Sequence, residues 1–347
     1  MSTIDELLAT ARADVEEGRI PACQLAVARD GELLAFETFG AATNRTRFCI
    51  FSATKPIVAS AVWLLIGDGT LDITRPVSAY VPEFGANGKE HVTVEQVLLH
   101  TSGFPNATMG ITDLSDATAR RVRFEHWRLE WKPGTRFEYH ANSAHCVLVD
   151  LLERCTGVDF RDFIERAVCA PLGLPRVLGL QLHDQDDIAE LVTIGDEEPL
   201  LGPEFNRSET RAAGVPGGGA FMTASDLARF YQGLLRNDGA IWDPDVLHDA
   251  RTNIRCTLDD PLMGVPVNRT VGLVVAGDDG KHILRYAIFG QGCSPGAFGH
   301  AGAHGQVAWA DPATGISFAY LTNGCAVDMM PAGIRGNRLA SIAAALP

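Results

Sequence analysis

The strongest constraint on the fold is an apolar run, residues 56–67, that follows Ser52 and Lys55. The run is rich in alanine and leucine, ends at Gly67, and predicts a helix that is apolar nearly all round. Such a helix is buried in a protein core. It is too short to cross a bilayer, which takes about 20 apolar residues. We therefore expect a buried helix with Ser52 and Lys55 at its beginning.

Ser52 and Lys55 are three residues apart, so on a helix they lie on one face, one turn apart. A serine hydroxyl is a weak nucleophile until a neighbouring group takes its proton. A buried lysine has a lowered pKa and can act as that base, while the free N–H groups at a helix N-terminus favour an oxyanion. The pair therefore predicts nucleophilic catalysis. The alternative is that Ser52 only caps the helix and Lys55 extends from the surface.

Composition and charge exclude several classes of partner. The formal net charge of −14 argues against a nucleic-acid backbone. The N-terminus has neither the basic nor the apolar region of a signal peptide, and eight cysteines without a Cys-x-x-Cys pair indicate reduced thiols. We expect a cytoplasmic protein with no membrane partner. No histidine or cysteine pair has the spacing of metal ligands, so we predict no metal and no cofactor.

The pattern along the chain predicts an α+β fold. An amphipathic helix over 4–17 precedes two strands, 23–29 and 32–39, which the Asp30-Gly31 turn joins as a hairpin. The last third predicts strands and a closing helix, at 272–276, 282–288, 305–310, 316–321 and 331–345. We expect an antiparallel sheet built from both chain ends and flanked by the terminal helices.

The middle of the chain predicts helices and loops. Residues 180–213 show no convincing periodicity and predict long loops. We therefore divide the chain into an α/β domain, residues 1–70 and 214–347, and an inserted helical and loop region, residues 71–213. Ser52 is expected where the two parts meet, since pockets form at such interfaces.

Two further stretches carry candidate site residues. Tyr139 precedes an apolar helix, and a phenol beside a lysine ammonium can be held partly ionised and act as a general base. The commoner use of such a tyrosine is packing under a loop. Residues 298–305 contain small residues that let a ligand approach backbone N–H groups, and His300 could donate to a substrate oxygen. The alternative for His300 is a solvated side chain in a glycine-rich turn.

A second serine, Ser294, lies in a Gly-x-Ser-x-Gly pattern at 292–296. That motif marks a nucleophile only between a strand and a helix. Pro295 and the glycine-rich strand that follows supply no helix. We therefore discount Ser294 and keep it as the next candidate should Ser52 not be the nucleophile.

The order Ser52-x-x-Lys55, then Tyr139, then His300-x-Gly302 resembles the serine hydrolases of the β-lactamase/penicillin-binding-protein superfamily. Within it the chain is most similar to class C β-lactamases and family VIII carboxylesterases. The resemblance covers nearly the whole chain. It implies a β-lactamase-like α+β fold.

The resemblance also implies roles for individual residues. Ser52 attacks an acyl carbonyl and forms an acyl-enzyme, and Lys55 and Tyr139 share the proton transfers. The backbone N–H groups of Ser52 and Ala303 form the oxyanion hole, and His300 and Gly302 belong to the substrate-binding wall.

Two positions depart from the superfamily pattern. An asparagine is expected two residues after Tyr139, but position 141 is alanine, so Asn142 or Ser143 is the candidate replacement. His300 stands where lactamases carry the lysine that pairs with a lactam carboxylate. Esterase-like members commonly have histidine there. Both departures favour a neutral ester over an anionic lactam.

We therefore predict a serine hydrolase, first of all a carboxylesterase acting on small acyl esters. The alternatives are an acyltransferase, an amidase or D-aminopeptidase, and a weak β-lactamase, each using the same acyl-enzyme. A catalytically silent binding protein is the non-enzyme alternative. The predicted partner is a small-molecule acyl ester or amide. The sequence leaves open the natural substrate, the oligomeric state and whether Lys55 or Tyr139 is the principal base.

Overall fold

The structure is a computed structural model that describes residues 3–347. Its helices are α1 (Ile4–Glu16), α2 (Lys55–Gly67), α3 (Val94–Leu98), α4 (Ile111–Leu114), α5 (Ala117–His126), α6 (Ser143–Thr156), α7 (Phe160–Ile164), α8 (Ser208–Ala213), α9 (Ala224–Arg236), α10 (Pro244–Thr252) and α11 (Met330–Ala344). Its strands are β1 (Ala22–Arg29), β2 (Glu32–Gly40), β3 (Phe48–Cys49), β4 (Val192–Thr193), β5 (Phe221–Met222), β6 (Val274–Val275), β7 (Phe298–Gly299), β8 (Val307–Asp311), β9 (Ile316–Thr322) and β10 (Gly324–Cys325).

The main sheet has the order β2-β1-β9-β8-β7-β6 and is antiparallel. Its first two strands come from the N-terminal part and the others from the last third, with Cys23 opposite Thr322. Asp30 and Gly31 turn the β1–β2 hairpin with φ values of 54° and 86°, as a two-residue hairpin turn requires. The predicted α+β class and the sheet built from both chain ends are confirmed.

Strand β1 is buried on both faces of this sheet. Successive side chains of a strand point to opposite faces, and here Ala26 and Ala28 join the core under α9 and α2. Leu25 and Val27 join the other core, with α1 and α11. The terminal helices therefore cover one face of the sheet. The larger core on the opposite face continues from the sheet into α2 and α6, and the domain boundaries near 70 and 214 stay a prediction.

Helix α2 is buried along most of its length, as predicted. It packs against α6. The Trp63 indole donates to the carbonyl of Val271 at 2.8 Å, which fixes α2 against the segment before β6. Within residues 3–347 no helix is both long and apolar enough to span a bilayer.

The predicted strand over 282–288 is wrong. Residues His282–Leu284 form a short 3₁₀ turn, and Tyr286 and Ala287 have φ values of 54° and 53°, which a strand does not allow. Buried Arg285 holds this turn, donating to the carbonyl of Pro266 at 2.8 Å and also to that of Ala276. Strand β6 pairs instead with β7.

Residues 180–213 are mostly loops, as predicted, with the short elements β4 and α8.

Candidate active site

Ser52 lies in a 3₁₀ turn, Phe51–Thr54, that leads directly into α2. The preceding residue, Phe51, has a φ of 45°, a conformation that costs free energy for a residue with a side chain. Its ring packs edge-on against Phe205 and His304, with centroid distances of 5.5 and 5.2 Å. The packing of Phe51 therefore fixes the direction in which the chain presents Ser52.

Lys55 is buried, with 1% of its surface exposed, so it does not extend into solvent. Its Nζ lies 2.6 Å from the carbonyl oxygen of Gly217, 2.7 Å from that of Ala141 and 3.3 Å from Ser52 Oγ. Burial lowers the pKa of Lys55 well below its ordinary value, and the Arg269 cation lowers it further.

These three contacts determine what an uncharged Lys55 can do. A neutral amine has two N–H groups and one lone pair. Carbonyl oxygens only accept hydrogen bonds, so the carbonyls of Gly217 and Ala141 take the two N–H groups. The lone pair is then left for the Ser52 hydroxyl. The geometry therefore suits Lys55 to accept the serine proton.

The Tyr139 ring packs against Lys55, with 4.8 Å between the ring centroid and Nζ. Burial raises the pKa of Tyr139 to about 12, against smaller lowering effects of the Arg269 cation and the Ser52 hydroxyl. At neutral pH the phenol therefore keeps its proton, contrary to the expectation that it is partly ionised. Among the described residues no group forms a hydrogen bond of good geometry with its hydroxyl, although Ser52 is near enough to lower its pKa. These properties favour Lys55 as the first base and Tyr139 as a proton donor.

His300 is buried beside Tyr139, with 6.1 Å between the ring centroids. Its Nδ1 lies 2.7 Å from the Ala301 carbonyl oxygen, so this nitrogen carries the proton. Burial, the Arg269 cation and Lys55 lower the pKa of His300 well below its ordinary value, which keeps the ring neutral. Its Nε2 is therefore an acceptor, and the sequence-based expectation that His300 donates to a substrate oxygen does not fit this tautomer.

Gly302 brings the wall that carries Ala303 against the segment before Ser52. A Cβ at position 302 would lie 2.2 Å from the Ile50 carbonyl oxygen, so only glycine allows this approach. Among the described residues, neither the Ser52 nor the Ala303 backbone N–H donates to another group. Two free donors fit the expected oxyanion hole, whose assignment stays a prediction.

Asn142 and Ser143 differ in how they relate to the site. Asn142 Oδ1 accepts the backbone N–H of Gly217 at 3.0 Å, and the Gly217 carbonyl in turn accepts from Lys55. Ser143 is buried and donates to the Phe104 carbonyl at 3.0 Å. Asn142 is therefore the residue nearer the site, since it and Lys55 both contact Gly217, and its role as the replacement stays a prediction.

Sequence reasoning missed three residues that surround Tyr139. His100 stacks on the Tyr139 ring at 4.9 Å, and the centroid of Tyr286 lies 5.8 Å from it. The guanidinium carbon of Arg269 is 5.3 Å from the same ring. The sequence did offer one indication of Arg269. It lies between the apolar residues around Val267 and those of 271–275, and charged side chains are rarely fully buried in such segments unless they are paired.

Ser294 is excluded as the nucleophile on structural grounds as well. Its hydroxyl donates to Asp311 Oδ1 at 2.5 Å, and its backbone N–H donates to the other oxygen of the same carboxylate at 2.7 Å. The segment continues into β7 and no helix follows.

Across residues 3–347, no group of three or more histidine, cysteine or acidic side chains is arranged to hold a metal ion.

Comparison with known structures gives the same architecture. A penicillin-binding protein homologue from Caulobacter crescentus superposes with a TM-score of 0.80 at 23% identity, covering 97% of this chain and 95% of that one. A family VIII carboxylesterase superposes with a TM-score of 0.79 at 23% identity, covering 96% and 95%. These similarities show a β-lactamase-like fold.

Comparison with known sequences identifies the family. The esterase/beta-lactamase LipL of Mycobacterium tuberculosis is 28% identical over 312 residues, covering 79% of this chain and 68% of LipL. The esterase EstB of Burkholderia gladioli is 30% identical over 282 residues, covering 68% and 70%. The family model described as Beta-lactamase matches residues 7–337. The chain therefore belongs to the beta-lactamase family and is a serine hydrolase.

Proposed function

We propose that this protein is a carboxylesterase that hydrolyses small acyl esters through an acyl-enzyme on Ser52. The observation that carries the proposal is the set of contacts of Lys55 Nζ. Two carbonyl oxygens at 2.6 and 2.7 Å occupy its N–H groups, and Ser52 Oγ lies at 3.3 Å. This arrangement prepares a serine to attack a carbonyl carbon.

In the proposed acylation, Ser52 Oγ bonds to the ester carbonyl carbon as its proton passes to Lys55. The carbonyl oxygen becomes an oxyanion, which the backbone N–H groups of Ser52 and Ala303 stabilise. The carbon–oxygen bond to the alcohol then breaks. Tyr139 gives its proton to the departing alkoxide and regains one from Lys55, so the alcohol leaves neutral.

In the proposed deacylation, water attacks the acyl carbon and gives its proton to Lys55. The bond from the acyl carbon to Ser52 Oγ breaks, and the proton returns to Ser52. The net reaction consumes one ester and one water and yields an alcohol and a carboxylic acid. Each proton passes between water, the leaving alcohol and the side chains of Ser52, Lys55 and Tyr139.

Two findings support an ester over a β-lactam as the substrate. The neutral His300 offers no positive charge to a lactam carboxylate at the position where lactamases have lysine. Of the two sequence relatives described above, EstB is named an esterase, while LipL is named both an esterase and a beta-lactamase. Transfer of the acyl group to an alcohol or amine and hydrolysis of an amide stay alternatives on the same acyl-enzyme.

Hydrolysis of p-nitrophenyl butyrate by the wild type, Ser52→Ala and Ser294→Ala tests the proposal. We expect Ser52→Ala to lower kcat by at least about 10⁴-fold, as removal of a nucleophile does, and Ser294→Ala to keep wild-type turnover. Equal activity of Ser52→Ala and the wild type would contradict the proposal. Adding alcohols, amines, amides and nitrocefin to the same assay separates the ester hydrolase from its alternatives by the products formed.

A further inference from the structure

Arg269 is a buried cation with no counter-anion beside the active site. Only 1% of its surface is exposed, and within residues 3–347 no carboxylate lies within ion-pair distance of it. Its Nε and Nη2 are buried without a hydrogen-bond partner among the described residues. Burying an unpaired charge is costly, so its retention calls for a role beyond stability.

Aromatic rings hold the guanidinium in place. Its central carbon lies 5.3 Å from the ring centroid of Tyr139 and 5.5 Å from those of Tyr286 and Phe137, within the range of cation–π contacts. The backbone is fixed as well, because the Arg269 N–H donates to the Cys256 carbonyl at 3.0 Å. The charge therefore has a fixed position relative to Tyr139.

The groups around Lys55 and Tyr139 provide little negative charge. The acid whose charge acts on Tyr139 is Asp260, and its carboxylate already accepts the Tyr286 hydroxyl at 2.6 Å and the Leu262 N–H at 2.8 Å. The titratable and charged groups that face the pair from the surrounding elements are His100, His140, His145, Cys146, Asp260, Arg269, Tyr286 and His300. Arg269 is the cation in this set.

We propose that Arg269 is a positioning residue of the active site, whose fixed charge favours the uncharged form of Lys55 that accepts the Ser52 proton. This inference rests on the proposed function of Ser52 and Lys55. A positive charge nearby disfavours a second one, so Arg269 opposes protonation of Lys55. The same charge favours loss of the proton from Tyr139, which helps Tyr139 pass a proton to the leaving group.

The charge of Arg269 should affect how kcat/KM depends on pH. The base must be unprotonated to act, so kcat/KM rises with pH as Lys55 loses its proton in the free enzyme. Arg269 lowers the pKa of Lys55 and so places this acid limb at lower pH. Removing the charge of Arg269 is therefore expected to move the acid limb to higher pH.

The test compares pH profiles of kcat/KM for the wild type, Arg269→Met, Arg269→Lys and Arg251→Met. We expect Arg269→Met to shift the acid limb upward by about one pH unit or more, and Arg269→Lys, which keeps the charge, to restore most of the wild-type position. Arg251 forms no ion pair among the described residues and donates to the carbonyls of Leu234 and Leu235, away from the site. Arg251→Met should keep the wild-type limb.

The rate at which a fluorophosphonate labels Ser52, measured across the same pH range, gives a second readout that does not depend on the ester chosen. Should Arg269→Met not fold, Arg269→Gln removes the same charge and keeps polar donors. The inference would be overturned if the acid limb of kcat/KM did not move in Arg269→Met or Arg269→Gln. It would also be overturned if Arg269→Met and Arg269→Lys lost the same fraction of kcat/KM at every pH, since Arg269 would then serve only in packing. An active Ser52→Ala would instead overturn the proposed function itself.

Discussion

Two buried arginines, Arg120 and Arg269, show how differently this protein treats charge in its two regions. Arg120 in α5 is fully buried and donates to Asp150 at 3.2 Å, to Glu153 and to the Leu114 carbonyl at 2.8 Å. Arg269 is equally buried but, among the described residues, faces aromatic rings and no carboxylate within ion-pair distance.

The difference distinguishes a buried charge that stabilises the fold from one that serves the active site. A buried charge whose partners are all present holds elements together, and removing one partner leaves the others uncompensated. A fixed positive charge that no carboxylate neutralises opposes protonation of a neighbouring amine, as we propose for Arg269 and Lys55. The helical region has the first arrangement at Arg120, and the site around Lys55 has the second.

The largest expected effect separates the two buried lysines. Lys55→Met removes the proposed base, and we expect kcat for ester hydrolysis to fall about 10³-fold, within the range for general-base loss. Lys89 is the matched control, since it is also buried and donates to two carbonyls, those of Ala86 and Trp127, but has no serine beside it. Lys89→Met should keep kcat within about threefold, because it touches no proposed catalytic group.

Stability should respond differently from activity in these variants. Lys55→Met is expected to unfold at a denaturant concentration close to that of the wild type, because relief from burying the amine is offset by leaving the Ala141 and Gly217 carbonyls without their donor. A Lys55→Met variant that keeps wild-type kcat, or an equal loss in Lys89→Met, would contradict the distinction between the two lysines.

Removing Arg120, whose charge is paired, should lower stability and leave the activity of the folded protein nearly unchanged. Arg120→Met leaves Glu153 without its arginine and leaves Asp150 with Arg121 alone, so we expect the free energy of unfolding to fall by about 3 kcal/mol. Urea titration measures this loss, and active-site titration corrects kcat for the folded fraction. A corrected kcat that falls more than tenfold would show that Arg120 also serves the site.

Acid should destabilise the site region through its buried histidines. Burial lowers the pKa of His140 to about 4, and its Nε2 accepts the Phe104 N–H at 3.2 Å, so the native state disfavours protonation. In the unfolded chain the pKa is about 6.5. Between these two values the unfolded state binds a proton that the native state does not, and stability is lost as pH falls.

For His140 the loss amounts to about 3 kcal/mol when pH drops from 7 to 4. Unfolding free energies of the wild type and His140→Gln at several pH values in this window measure it, with exposed His91→Gln as the control. The acid-induced loss should be smaller in His140→Gln than in the other two proteins. Identical pH slopes in all three would refute this assignment.

The smallest expected effect concerns Ser294. Ser294→Ala removes one hydrogen bond to Asp311 and should cost about 1 kcal/mol of stability. Thermal melts and ester hydrolysis measured together check this, with kcat expected at the wild-type value. A stable Ser294→Ala variant that has lost its activity would return Ser294 to the list of candidate nucleophiles.

The features that follow from local spacing could be predicted from the sequence. The three-residue spacing of Ser52 and Lys55 and the apolar run after them define one helix and one contact, and the structure has both. Asp30 and Gly31 specify a hairpin through their own backbone preferences. The sheet that joins both chain ends followed from these strands together with those of the last third.

The features that depend on distant packing could not be predicted in this way. Residues 282–288 have strand-like composition, but Arg285 satisfies remote carbonyls and the backbone turns through Tyr286. The proton position on His300 depends on one contact with Ala301. Arg269 becomes part of the site only because separate segments bring three rings around it, and no local pattern reports that.

The most direct test of the central claim is active-site labelling of the intact protein. We expect a fluorophosphonate to add one equivalent by intact-mass measurement, peptide mapping to place the adduct on Ser52, and Ser52→Ala to stay unlabelled while Lys55→Met labels much more slowly. An adduct on Ser294 or another residue, or a Ser52→Ala variant that labels at the wild-type rate, would contradict the account.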